Sequence, residues 1–100
     1  MRIITMLISP EEINKSLSSK NWKYLDKKIR KTYKFTTYME GIEFVLKIAE
    51  LAELNNHHPY IIISWRQVDI NITSHNMDGV TTNCINLATG IDHIFENEFK

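Results

Sequence analysis

Lys28-Ile29-Arg30-Lys31-Thr32-Tyr33-Lys34-Phe35-Thr36 runs directly into Thr37-Tyr38-Met39-Glu40-Gly41-Ile42-Glu43-Phe44-Val45-Leu46-Lys47. At Thr37 the hydrophobic period changes from two to about 3.6 residues, and that change decides the fold. Before it, Ile29, Tyr33 and Phe35 alternate with Lys28, Arg30, Thr32, Lys34 and Thr36, the pattern of a half-buried strand. Lys31 interrupts the apolar face. Lys28, Arg30 and Lys34 share the other face. They read as a solvated outer surface, with phosphate contacts as the alternative. After Thr37, Glu40, Glu43, Lys47 and Glu50 form one polar stripe at helical spacing, continuing to about Leu54. The remainder, Met39, Ile42, Phe44, Val45, Leu46, Ile48, Ala49, Leu51 and Ala52, is wider than a helix lying on one sheet requires. Either the helix is deeply buried, or its spare face packs on another subunit.

Working outward, Trp22-Lys23-Tyr24-Leu25 is a candidate strand, joined to the one after it by a bend at Asp26-Lys27 that lacks the usual glycine. Further back, Ser9-Pro10-Glu11-Glu12 has the form of a helix start. Serine caps, proline suits the first helical position, and Glu12 completes a capping box. Ile13 and Leu17 share a face, and the helix is expected to fail around Ser18-Ser19-Lys20-Asn21. On the other side, Asn55-Asn56-His57-His58-Pro59 stops the central helix. Tyr60 to Trp65 is rich in β-branched and aromatic residues, and Val68, Ile70 and Ile72 alternate with Asp69, Asn71 and Thr73. These are two antiparallel strands turning near Arg66-Gln67. Asn76-Met77-Asp78-Gly79 is a loop. Thr81 or Thr82 caps a last helix with Ile85, Ala88, Ile91 and Phe95 inward, and residues 96–100 are expected to fray. Helix, two strands, helix, two strands, helix implies an α+β fold: a four-stranded antiparallel sheet with three helices on one face.

The 100 residues suit one domain spanning 1–100. Twelve basic residues balance twelve acidic ones, so no net charge draws the chain to nucleic acid or anionic membrane. The apolar start, Met1 to Ile8, is too short to span a bilayer and lacks a small-residue cleavage site, so neither a membrane anchor nor a signal peptide is expected. Cys84 is the single cysteine. It permits no intrachain disulfide and fits a reducing, cytoplasmic setting.

Three of the four histidines lie between Glu53 and His75. Imidazole exchanges protons near neutrality. His57 and His58 sit on a loop fixed by a helix on one side and Pro59 on the other. His75 ends the second strand of the following hairpin, which returns the chain to where it began. Glu53, on the last helical turn, adds a carboxylate able to orient an imidazole. General acid–base chemistry is the leading reading. Exposed loop histidines are the plain alternative. A zinc site would suit three imidazoles, but adjacent residues diverge and helical i, i+4 chelator spacing is absent. Cys84, in the first turn of the last helix, reads as core rather than as a nucleophile. His93 reads as surface.

Taken together, Glu53-x-x-x-His57-His58-Pro59, Trp65, Thr73-Ser74-His75 before the Gly79 loop, Ile85-Asn86-Leu87-Ala88 and Trp22 resemble the pterin-4a-carbinolamine dehydratases over nearly the whole chain. The resemblance implies the α+β fold, a homodimer or homotetramer, and no metal or organic cofactor. It implies a hydro-lyase that removes water from a 4a-hydroxytetrahydropterin to give quinonoid dihydropterin, in the recycling of tetrahydropterin (tetrahydrobiopterin). His57, His58 and His75 are then the catalytic residues, with His57 and His75 as acid and base and His58 assisting. Glu53, Pro59, Thr73, Ser74, Asn76 and Met77 border the pterin. Two positions depart from the family pattern: Asn56 stands where Asp is common, and Cys84 where an acidic residue is common. A non-catalytic dimerisation or interaction module of the same fold, as some members serve for a homeodomain transcription factor, is the alternative.

Overall fold

The period change at Thr37 is the junction of strand and central helix in the computed structural model, which describes residues 6–17 and 20–100. The elements are α1 (Pro10–Leu17), β1 (Lys23–Leu25), β2 (Lys28–Lys34), α2 (Tyr38–Asn55), β3 (Tyr60–Ser64), β4 (Gln67–Ile72) and α3 (Thr82–Glu98). The four strands form one antiparallel sheet in the order β1-β2-β4-β3, so the two hairpins join through β2 and β4. The turn between β3 and β4 falls on Trp65-Arg66, one residue earlier than the alternation suggested.

Local chemistry explains each boundary. Ser9 Oγ accepts from the Glu12 amide at 3.3 Å, which starts α1. The expected stop of α1 at Ser18-Ser19 lies outside the described residues. Asp26 and Lys27 both adopt positive φ, 52° and 64°, so the first hairpin makes its two-residue turn without glycine. Thr37 caps α2 with a full capping box: its side chain accepts from the Glu40 amide while Glu40 reaches back to the Thr37 amide. Thr81 caps α3, its side chain accepting from the Cys84 amide at 3.4 Å.

The helices cover the sheet face carrying Ile29, Tyr33, Val68, Ile70 and Ile72, all buried. Phe44, Ile48 and Ala52 of α2 and Cys84, Leu87, Ala88 and Ile91 of α3 meet them. Gly90 lets α3 approach α2, since a Cβ there would stand 2.8 Å from a methyl of Leu51. Lys31 faces this side too, and Asp92 of α3 meets it at 2.6 Å. The same carboxylate accepts from Trp22 Nε1 at 2.9 Å and from the Tyr33 hydroxyl. Burial, helped by that carboxylate, pushes the Tyr33 hydroxyl far above its ordinary pKa, so it stays a donor.

Two expectations are corrected. The deep burial considered for α2 does not hold in the isolated chain: Met39 and Leu46 are 59% and 60% exposed. The C-terminal residues do not all fray. The helix runs to Glu98, and the Phe99 ring sits 5.5 Å from Phe44 and 6.0 Å from Phe35. Ile85 and Phe95 pack against the core as expected, though half-buried, and Cys84 and Leu87 join Ala88 and Ile91 in the innermost places on α3. The stretch before α1 had no assigned partner, yet Met6 to Ile8 runs alongside residues 80–82, with Ile8 N donating to the Val80 carbonyl at 2.9 Å.

Candidate active site

The site grows from the C-terminus of α2. Asn56 is the C-cap in the left-handed conformation, φ 49° and ψ 44°, a geometry asparagine tolerates better than most residues. Its amide and that of His57 return to carbonyls of the last turn. This fixes the exit direction of the chain, so the His57-His58-Pro59 segment is held in place before β3 begins. The β3–β4 hairpin then brings Thr73, Ser74 and His75 back to the same end of the sheet. Ser74 and Gly79 exchange two backbone hydrogen bonds, at 2.9 and 3.2 Å, and close the following turn. Thr73 Oγ1 donates to the Lys27 carbonyl at 2.7 Å, tying that turn to the first hairpin.

An open cavity of about 550 Å³ lies here on the sheet face that carries no helix. Its walls are His58 and Pro59 from the loop, Tyr60 and Ile62 from β3, Asn71 of β4, Thr73 and His75 beyond it, and Lys28 and Arg30 from β2. This volume is in the usual range for small-molecule sites. Among the described residues no three His, Cys, Asp or Glu side chains are grouped to hold a metal ion.

The histidines take three different settings. His58 is exposed, and its Nε2 lies 2.6 Å from Glu53 Oε2. An ionised carboxylate only accepts, so Nε2 carries the hydrogen. His75 is exposed at the cavity wall. His57 stands behind, half-buried, with Nε2 3.3 Å from Cys84 Sγ. Its pKa is lowered from the ordinary histidine value, first by burial and then by the charges of His58 and His75. His57 therefore lies within electrostatic reach of both other imidazoles, although only His58 and His75 line the cavity.

The expected pterin-bordering residues divide. Pro59 and Thr73 line the cavity and Glu53 reaches it through His58. Ser74, Asn76 and Met77 belong to the adjoining turn and are not in the wall. Tyr60, Ile62 and Asn71 line it without having been singled out, and so do Lys28 and Arg30, which were read as a solvated face with phosphate contacts as the alternative. The register could have found them, because Arg30, Asn71 and Tyr60 lie side by side across three strands. Cys84 is fully buried in the core, as expected, but it also touches a candidate histidine. Thr81 Oγ1 lies 3.4 Å from the same sulfur.

Comparison with known proteins adds to this geometry. Residues 6–94 match the family described as "Pterin 4 alpha carbinolamine dehydratase". A protein of Picosynechococcus sp. named "Putative pterin-4-alpha-carbinolamine dehydratase" is 38% identical over 88 residues, covering 87% of this chain and 96% of that one. One of the same name from Mycobacterium tuberculosis is 38% identical over 90 residues, covering 89% and 96%. The crystal structure of a transcriptional coactivator/pterin dehydratase from Brucella melitensis superposes with a TM-score of 0.83 at 26% identity, covering 89% of this chain and 98% of that one. A pterin dehydratase-like protein identified as a RuBisCO assembly factor in the alpha-carboxysome gives a TM-score of 0.61 at 20% identity, covering 73% and 84%, and shares the fold.

Proposed function

Because this chain belongs to the pterin 4 alpha carbinolamine dehydratase family, we propose that it eliminates water from a 4a-hydroxytetrahydropterin to give quinonoid dihydropterin, supporting tetrahydropterin recycling by supplying the dihydropterin that a separate reductase reduces. The observation that carries this reading is the convergence of His58 and His75 on one cavity, with His57 close behind them.

The chemistry needs two proton transfers. Hydroxide is a poor leaving group, so an acid protonates the 4a-hydroxyl as the C–O bond breaks and water departs. A base takes the proton from the adjacent ring nitrogen, and its electron pair forms the new C=N bond. Each transfer typically contributes about 10²–10⁴-fold in rate. His57 is assigned the base, its lowered pKa favouring the neutral imidazole; standing behind the wall, it takes the ring proton through one bridging water. His75, at the cavity wall, supplies the acid. His58 is held by Glu53 and assists. Pro59 and Thr73 border the ring. Ser74, Asn76 and Met77 act from the neighbouring turn by shaping the backbone there. No metal or organic cofactor takes part in this scheme.

A second copy of the chain covers the apolar surface left on α2, where Met39 and Leu46 stand one heptad apart and exposed. β3 is an edge strand with Ile62 and Ile63 more than 40% exposed, at 44% and 41%, and offers a further contact. A homodimer or homotetramer in the cytoplasm is the proposed state. Among the described residues no helix is long and apolar enough to cross a membrane.

The test is the decay of freshly generated 4a-hydroxytetrahydropterin, with and without the chain. Acceleration that disappears in His57→Ala and His75→Ala is the expected result. Normal assembly with no acceleration at all overturns it, in favour of a non-catalytic interaction module.

A further inference from the structure

The open face of the sheet is positively charged beside the histidines, in a chain whose formal net charge is zero. Lys28 and Arg30 both line the cavity. They are two residues apart on β2 and so point to the same side, about 7 Å apart along the strand. Lys23 of β1 lies directly opposite Arg30 in the register. Like charges placed directly opposite on a sheet destabilise it. Carboxylates nearby would normally offset this, but among the described residues neither Lys28 nor Arg30 has an ion-pair partner. Asp69, on the same face one row further on, is occupied by Thr32 and Gln67. Glu53 is occupied by His58.

Opposite this basic wall, two strands away and so roughly 10 Å across, stand Tyr60 and Ile62. The cavity thus has one aromatic and apolar side, one cationic side, and histidines at its end. A flat heterocycle with an uncharged side chain uses the first and third of these and leaves the second idle.

Resting on the pterin reading above, we infer that the cavity takes a pterin whose side chain carries a phosphate ester, with Lys28 and Arg30 as the anion subsite. Arg30 presents a planar fork that matches phosphate oxygens, and Lys28 adds a point charge. Asn71, between the cations and the apolar wall, supplies neutral hydrogen-bonding groups, while the Thr73 hydroxyl, already donating to the Lys27 carbonyl, is left as an acceptor. The subsite sets which pterin is bound; it takes no part in the proton transfers.

The experiment is a fluorescence titration of the full chain with two oxidised pterins. One bears a neutral polyhydroxypropyl side chain and the other is its phosphate monoester. Folate, whose side chain carries carboxylates, and inorganic phosphate complete the set. At low salt the ester is expected to bind roughly tenfold tighter than the neutral pterin, and the advantage shrinks as salt is raised. Lys28→Gln with Arg30→Gln is expected to bring the two affinities together. Lys34→Gln, on the same strand face beyond the cavity, leaves the preference in place. Equal affinities for the two pterins in the unaltered chain overturn the inference, while the dehydration assay still decides the pterin reading separately. A preference for folate over the ester also overturns it. Binding of the ester and inorganic phosphate but of no neutral pterin supports the anion subsite and counts against the pterin reading. Binding of none counts against both.

Discussion

Replacing Asp92 by alanine removes the one acceptor shared by Trp22, Lys31 and Tyr33. The Asp92 and Lys31 side chains are only 13% and 14% exposed, so the ammonium is left in a place water reaches poorly. Breaking a buried ion pair from one side costs about 3–5 kcal/mol. The upper part of that range is expected here, because the indole and phenol donors also lose their partner, each at about 1–3 kcal/mol when dry. In a domain of this size each kcal/mol lowers Tm by about 4–8 °C. The double replacement Lys31→Met with Asp92→Leu separates pairing from packing. It removes both charges, leaves only the neutral donors unpaired, and is expected to recover much of the loss. Urea denaturation followed by the fluorescence of Trp22, which is 3% exposed, measures all of these. A cost below about 1 kcal/mol for Asp92→Ala, the range of an exposed salt bridge, would refute the claim that Lys31 is held inside by this carboxylate.

Three further outcomes are expected. Since the folded-state pKa of His57 lies below its unfolded value of 6.5, the unfolded chain binds the extra proton first as pH falls. The His57 contribution to stability is therefore present above 6.5 and lost below it, until the folded pKa is passed; urea midpoints should drop over that window more in the unaltered chain than in His57→Gln. Cys84→Ala frees the His57 ring from its sulfur contact, and kcat should fall by up to about 10²-fold with little change in KM, whereas Cys84→Ser retains most activity; unchanged kcat in Cys84→Ala would remove Cys84 from any positioning role. Leu46→Glu puts a charge in the exposed apolar row of α2, and sedimentation should show it smaller than the unaltered protein; identical sedimentation argues against α2 as the interface.

Much of the fold was legible because its signals are local. The period change at Thr37, the Ser9-Pro10 start and the proline after His58 each act within a few residues, and the elements stand where these place them. What escaped depends on partners far along the chain. Lys31 looked like a flaw in the strand because Asp92, its partner, lies 61 residues away. Phe99 looked like a fraying end because Phe35 and Phe44, which hold it, belong to other elements. At the site, the grouping of His58 with His75 followed from hairpin topology alone. Lys28 and Arg30 were read as a solvated face, with phosphate contacts only the alternative, because cavity lining depends on β2 pairing with β4, and nothing local in either strand announces that pairing.

The most direct test of the central claim, that separated histidines converge on one ligand cavity, is NMR of the imidazole signals during titration with a dihydropterin. Signals of His57, His58 and His75 should all move while that of His93, exposed on α3, stays fixed. Saturable binding that leaves His58 and His75 unmoved, or that moves His93 instead, would contradict the account.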